Sequence, residues 1–191
     1  FVVKRHAPTI VKRRFIEEYL SAKLFETYAM KNENLTPEEE RELLATLASI
    51  AGDYDMTLVA DYGHGMMTSA VVDAVCALPK YLAVNTQTNA GNRGFNFISK
   101  YPRADYISID EPEARLEVRD RYADIRFVLE EIAKKIDVKR LVVTRGKRGC
   151  LCLDRTEGFV TVPAFAVKMV DRIGAGDAFL ALSACCGAQD R

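Results

Sequence analysis

From residue 36 onward, helical and strand patterns alternate along the chain, which predicts an α/β protein with a mostly parallel sheet and helices on both faces. Three observations carry that expectation. Thr36-Pro37-Glu38-Glu39 supplies an N-cap, a proline at the first helical position and an acid three residues after the cap. Ile125, Val128, Leu129, Ile132 and Ile136 fall on one face at helical spacing. Short apolar runs at 81–84 and 140–144 have the length of buried strands and lie between such helices.

Taken in order, two stretches rich in β-branched and aromatic residues, 9–16 and 23–28, read as strands with imperfect alternation. They fit poorly into a parallel sheet and are expected to form a separate flap over residues 1–35, ahead of a core at 36–191. Lys4, Arg5, Lys12, Arg13 and Arg14 stand in the first fourteen residues without an acid, so the flap offers either an anion-facing surface or a strand edge blunted by charge. A helix is expected from Thr36 to about Ala51, then a strand at 56–60, a helix at 69–78 and a strand at 81–84. A strand at 105–109, a short helix from Pro112, a helix at 125–136 and a strand at 140–144 follow. Residues 150–153 and 159–162 are two further short strands.

Composition narrows the partners. The 191 residues are 49% hydrophobic, with nine Phe, eight Tyr and no Trp, enough for a sizeable core and incompatible with a disordered chain. Lys plus Arg and Asp plus Glu are both 27, so no global positive field gathers nucleic acid or acidic lipid. No apolar run reaches the roughly 18 residues that span a bilayer, and Phe1-Val2-Val3-Lys4-Arg5-His6 lacks the order of a signal peptide. The expectation is a soluble, cytoplasmic protein without nucleic-acid or membrane partners. The five cysteines include no C-x-x-C pair and are expected to be buried, reduced thiols. Without an initiating Met, and with a stop soon after a helical pattern begins, the chain reads as a piece of something longer, truncated at both ends.

The segment Asp171-Arg172-Ile173-Gly174-Ala175-Gly176-Asp177-Ala178-Phe179 precedes an Ala/Leu-rich helical run. Small residues let a ligand approach the backbone, and several free N–H groups converge where a helix starts, which favours an anion such as phosphate. A carboxylate makes little sense as a phosphate binder but good sense as a base, so Asp177 is the candidate to accept a proton from an attacking hydroxyl. The bland alternative is a helix start with glycines for packing and Asp177 as a first-turn acid. A dinucleotide fold fails because Phe179 stands where the third small residue belongs and only twelve residues remain. A P-loop fails for want of Gly-Lys-Ser/Thr.

Asp171-x-x-Gly174-Ala175-Gly176-Asp177-x-Phe179 resembles the C-terminal signature of the PfkB, or ribokinase-like, carbohydrate kinases. Within that family, Thr9-Ile10-Val11-Lys12-Arg13-Arg14-Phe15, Ala60-Asp61-Tyr62-Gly63-His64-Gly65 and Val143-Thr144-Arg145-Gly146 are most similar to the kinase domain of the bacterial ADP-heptose synthases. The resemblance implies a ribokinase-like fold with a small β lid, and ATP-dependent phosphorylation of a sugar or sugar phosphate. It makes Asp177 the catalytic base and Gly174, Ala175 and Gly176 the anion hole, with Asp171 beside the nucleotide. Glu113, in Asp110-Glu111-Pro112-Glu113, becomes an outer-shell Mg2+ group where the family has Asn-x-x-Glu, and Asp110 replaces the Asn. The alternative for this stretch is an Asp cap and a proline in the first turn. Asn85 matches a family Asn or Asp near metal and phosphates, with Thr86 in place of the usual proline. Thr144, Gly146 and Gly149 are implied beside the nucleotide phosphates and ribose, or else they form a plain hairpin turn. Asp61 and His64 are implied at the acceptor, His64 standing where the heptose kinases tend to have Lys. ATP and Mg2+ are the implied cofactors, with a monovalent cation as a further candidate, and the lid implies a homodimer. Two other readings stay open: a non-catalytic nucleotide-binding or assembly module on this fold, and a vitamin or nucleoside kinase of the same superfold.

Overall fold

The computed structural model describes residues 2–17, 19, 22–165 and 174–189, so Asp171, Arg172 and Ile173 lie outside the described residues. Strands β1 (Val11–Glu17) and β2 (Ala22–Ala29) form an antiparallel pair by themselves, with a register shift between Phe15 and Ile16. The second sheet has the order β3 (Met56–Asp61), β4 (Tyr81–Thr86), β5 (Arg103–Asp110), β6 (Asp137–Thr144), β7 (Cys150–Asp154), β8 (Gly158–Val162). Its first four strands are parallel and the last two antiparallel, so the sheet is mixed but mostly parallel. The helices are α1 (Pro37–Ile50), α2 (Ser69–Cys76), α3 (Glu111–Val118), α4 (Ile125–Lys135) and α5 (Ala175–Ala188).

Local chemistry sets the helix starts. Thr36 Oγ1 accepts the Glu39 N–H at 3.3 Å, and Glu39 Oε2 accepts the Thr36 N–H at 2.9 Å, which satisfies two donors left open where α1 begins. The other oxygen of this buried carboxylate accepts the Arg5 N–H at 2.7 Å and so ties down the N-terminal segment. These backbone hydrogen bonds hold Glu39 ionised below the usual carboxylate range. Thr68 and Asp124 cap α2 and α4 with a single side-chain bond each, accepting the N–H of Val71 and of Arg126.

Strand alternation divides the core. Leu82, Val84, Ile107, Ile109, Leu141 and Val143 meet α2, α3 and α4 on one face. Ala83, Tyr106 and Val142 point the other way, against Leu180 and Ala184 of α5. Each fully buried Leu, Ile or Val is worth about 1.5–3 kcal/mol, so the three-helix face holds most of the stability. Helices thus cover both faces, unequally. The expected burial of the cysteines is corrected by this arrangement: all five are free thiols, but Cys76, Cys150 and Cys152 are only partly buried and Cys185 and Cys186 are exposed. The reason is geometric, since α5 turns only Leu180, Ala184 and Gly187 fully inward. No helix among the described residues is long and apolar enough to cross a membrane.

Candidate active site

The parallel register brings the expected residues to one edge. Ala60 pairs with Asn85 and Asp61 with Thr86, Val84 with Ile107, and Asp110 with Thr144, so Asp61, Asn85, Asp110 and Thr144 share the carboxyl ends of four neighbouring strands. Ligands of open α/β sheets bind outside that edge. Helix α5 starts there. Gly174 adopts a left-handed conformation (φ 76°) as its N-cap, with no side-chain cap, which leaves the first-turn N–H groups of Ala175 and Gly176 without an intrahelical partner.

Asp177, in that first turn, is the point of convergence. Its Oδ1 accepts Gln87 Nε2 at 2.7 Å and the Tyr62 hydroxyl at 3.1 Å. Burial and the Asp177 carboxylate raise the Tyr62 phenol, which keeps it protonated and donating. Behind this pair lies an asparagine-rich loop. Asn92 Nδ2 donates to Tyr62 O at 2.8 Å and to Gln87 O at 3.2 Å; Asn89 donates to Tyr62 O at 2.9 Å, and Asn96 to Asp61 O at 3.0 Å and Gln87 O at 3.2 Å. Gly63, at φ 68°, passes so close that a Cβ would sit 2.2 Å from Asn92 Nδ2. Asp61 itself is buried and used internally, accepting the Gly63 N–H and the Tyr101 hydroxyl, each at 2.9 Å, and pairing with Lys100. Burial, then Asp61, drives the Tyr101 phenol upward.

Asn85 Nδ2 donates to Ser108 O at 2.6 Å, while its buried Oδ1 has no hydrogen-bond partner among the described residues. Next to it, Asp110 and Glu113 close the capping box of α3: Asp110 Oδ1 accepts the Glu113 N–H at 2.8 Å and Glu113 Oε2 the Asp110 N–H at 2.9 Å. Glu113 Oε1 takes the Thr88 N–H at 2.7 Å, fixing the chain as it leaves β4. Loss of surrounding water, then the Asp110 charge, pushes Glu113 up to about 7. Asp110 is raised by the same loss of water, although part of the residue is open to solvent.

The turn after β6 is a hairpin into β7, with Thr144 paired to Cys150. Gly146 (φ 58°) and Gly149 (φ 77°) are left-handed, and a Cβ on Gly149 would lie 1.9 Å from Val162 O. Arg145 and Arg148 both pair with Glu111. His64 lies in the Asp61 turn, its two ring nitrogens shielded and without hydrogen bonds among the described residues. Burial, then the Lys12 charge, lowers its proton affinity, so the imidazole is neutral. Lys12 of β1 sits 4.9 Å above the Tyr62 ring, and Arg14 pairs with Glu26 at 3.0 Å. The flap therefore turns one cation toward the core and neutralises another on itself. A cavity of about 340 Å³ between the N-terminal segment and the core is lined by Lys4, Lys31, Asp61, Tyr62 and His64 among others.

Sequence reasoning on motifs placed Asp61, Asn85, Asp110, Thr144 and Asp177 on this edge. It missed Gln87, Asn92 and Asn96, which sit in a segment without strand or helix periodicity. The available signal was the density of amides at Gln87, Asn89, Asn92 and Asn96 just after a buried strand.

The family model for pfkB family carbohydrate kinases matches residues 2–186. The bifunctional protein HldE of Bradyrhizobium diazoefficiens is 27% identical over 95% of this chain and 37% of its own length. That of Nitrobacter hamburgensis is also 27% identical, over 95% of this chain and 38% of its length. The chain thus spans well under half of these curated relatives. Phosphofructokinase-2 of Escherichia coli, solved with potassium, superposes with a TM-score of 0.69 at 18% identity, over 88% of this chain and 54% of that one. The ribokinase of Arabidopsis thaliana, solved with ribose and ATP, gives 0.68 at 16%, over 97% of this chain and 58% of that one. The expected ribokinase-like fold is therefore present, and the chain belongs to the pfkB family of carbohydrate kinases.

Proposed function

We propose that this chain is the phosphoryl-transfer core of a cytoplasmic sugar or sugar-phosphate kinase of the heptose-phosphate type, using ATP and Mg2+. The observation that carries the reading is Asp177: a carboxylate held by Gln87 and Tyr62 in the first turn of α5, one residue from N–H groups with no intrahelical partner. In this reading Asp177 takes the proton of the acceptor hydroxyl as it attacks, and the backbone of Gly174, Ala175 and Gly176 stabilises charge on the transferred phosphoryl group. Asp61 braces the adjoining turn through Gly63 and Tyr101, and with His64 it lines the cavity in which the acceptor is proposed to sit.

The donor set fits Mg2+, which binds through one or two carboxylates and substrate phosphates rather than an all-protein cage. Asn85 Oδ1 is a buried oxygen without a hydrogen-bond partner among the described residues, and the Asp110 charge raises the neighbouring Glu113 carboxyl, a repulsion that a cation relieves. When bound, Mg2+ supplies charge neutralisation on the phosphates. Thr144, Gly146 and Gly149, on the same edge, are proposed to lie along the nucleotide. Phe15 and Phe25 stack at 4.3 Å on an exposed face of the flap, which supports the homodimer, with a second flap as the cover. Sedimentation as a monomer at micromolar concentration would remove that part.

The experiment that tests the reading follows labelled γ-phosphate from magnesium ATP into separate pools of sugars, sugar phosphates and nucleosides. Label in the sugar-phosphate pool is the expected result. Label confined to nucleosides would reassign the acceptor. Nucleotide binding without transfer to any pool would support the non-catalytic module.

A further inference from the structure

We propose that Gln87 and Tyr62 are positioning residues for Asp177: together they occupy one carboxylate oxygen and leave the other to receive the acceptor's proton. The inference rests on the reading of Asp177 as the base. Both donors, Gln87 Nε2 at 2.7 Å and the Tyr62 hydroxyl at 3.1 Å, point at Oδ1, and Oδ2 accepts no hydrogen bond among the described residues. Two donors on one oxygen stop the carboxylate from rotating.

The donors are themselves held. The Gln87 N–H donates to Asp61 O at 2.8 Å, and its carbonyl accepts from both Asn92 and Asn96, so the backbone of Gln87 is fixed on both sides and only the side chain is left to choose a direction. One amide nitrogen, Asn92 Nδ2, bridges the carbonyls of Gln87 and Tyr62 and so sets the spacing of the two donors. The Tyr62 ring is packed from the flap by Lys12 at 4.9 Å and lies parallel to His64 at 6.5 Å. This is a braced constellation of the kind that lowers barriers by fixing orientation before the reaction.

During transfer the acceptor O–H bond breaks as its oxygen bonds the γ-phosphorus. The proton goes to Asp177 Oδ2, and the electron pair of the breaking bridging P–O bond leaves with ADP. The donors on Oδ1 keep their hydrogen atoms throughout. They act through Asp177 and touch no reacting atom.

A purely structural role, tying α5 to the ends of β3 and β4, would move stability and leave turnover per folded molecule alone. Steady-state kinetics with nucleotide affinity and thermal unfolding separate the two. In Gln87→Ala kcat per folded molecule is expected to fall about 10- to 100-fold, and in Tyr62→Phe about 10-fold, while KM for ATP stays near wild type and the unfolding midpoint falls only slightly. Wild-type kcat in Gln87→Ala, or a loss confined to KM or matched by unfolding, overturns the inference. Asp177→Asn assayed beside them tells the two levels apart: retained turnover there overturns the base reading and this inference with it, whereas loss in Asp177→Asn alone overturns only the positioning role. A second arm needs no turnover. Gln87→Ala and Asp177→Ala, singly and combined, should shift the unfolding midpoint non-additively. Additive shifts would show that the two side chains do not interact.

Discussion

The turn after β3, at residues 61–65, and the turn after β6, at residues 144–149, both leave a parallel strand through glycines at positive φ, yet they enter different surroundings. In the first, Tyr62 reaches the Asp177 carboxylate and the asparagine loop grips the backbone from behind. In the second, the chain doubles back as β7, its arginines are taken by Glu111, and Gly149 is pressed against the end of β8. A glycine pair after a strand specifies that the chain turns tightly. The side chains beside it decide what the turn meets: the first faces the Asp177 carboxylate, and the second closes a hairpin on the edge where the nucleotide is proposed to lie.

The comparison breaks most sharply at Asp177. Asp177→Asn keeps an oxygen for Gln87 and Tyr62 but removes the proton acceptor, so phosphoryl transfer is expected to fall about 10²- to 10⁴-fold. Gly149→Ala should show first in stability. Its left-handed φ and a backbone oxygen 1.9 Å from the new Cβ cost on the order of 3 kcal/mol, read as a fall of about 6–12 °C in Tm. Gly63→Ala falls between the two. Its Cβ meets a side-chain nitrogen that can move, so about 1–2 kcal/mol is expected by denaturant unfolding. As Asn92 moves it releases the carbonyls of Tyr62 and Gln87, and kcat should drop as well.

The smallest effect is a pH dependence. Glu113 titrates at 4.5 when unperturbed and at about 7 in the fold, so between those values the folded chain holds a proton that the unfolded chain lacks. Its contribution to stability is therefore complete below 4.5 and is lost as pH rises through about 7. Asp110→Asn keeps the cap on the Glu113 N–H and removes the Asp110 charge, which after burial is the largest cause of the shift. Tm measured from pH 4 to 8 should fall less steeply in the variant, and an unchanged slope would show that Asp110 does not set the Glu113 proton affinity.

Elements with a strong local signal were legible in the sequence. The capping box at Thr36 and Glu39 marked the start of α1, and the apolar stripe from Ile125 marked α4. Strand ends were less so: β6 begins at Asp137 rather than near Arg140, because Val138 reaches the core and extends the pairing with β5. Candidate residues at strand ends could be placed on one edge because a parallel sheet gathers its carboxyl ends there. Gln87 could not. Its proposed role depends on a contact with Asp177, ninety positions away in the chain, and on side-chain amides bonding to backbone carbonyls, neither of which has a period.

The account turns on Asp177 as a proton acceptor mounted on an undisturbed fold. The most direct measurement pairs thermal unfolding with labelled γ-phosphate transfer from magnesium ATP to a sugar phosphate, for the wild-type chain and Asp177→Asn. The account predicts coincident unfolding transitions and transfer reduced at least about 100-fold in the variant; equal transfer by the two proteins would contradict it.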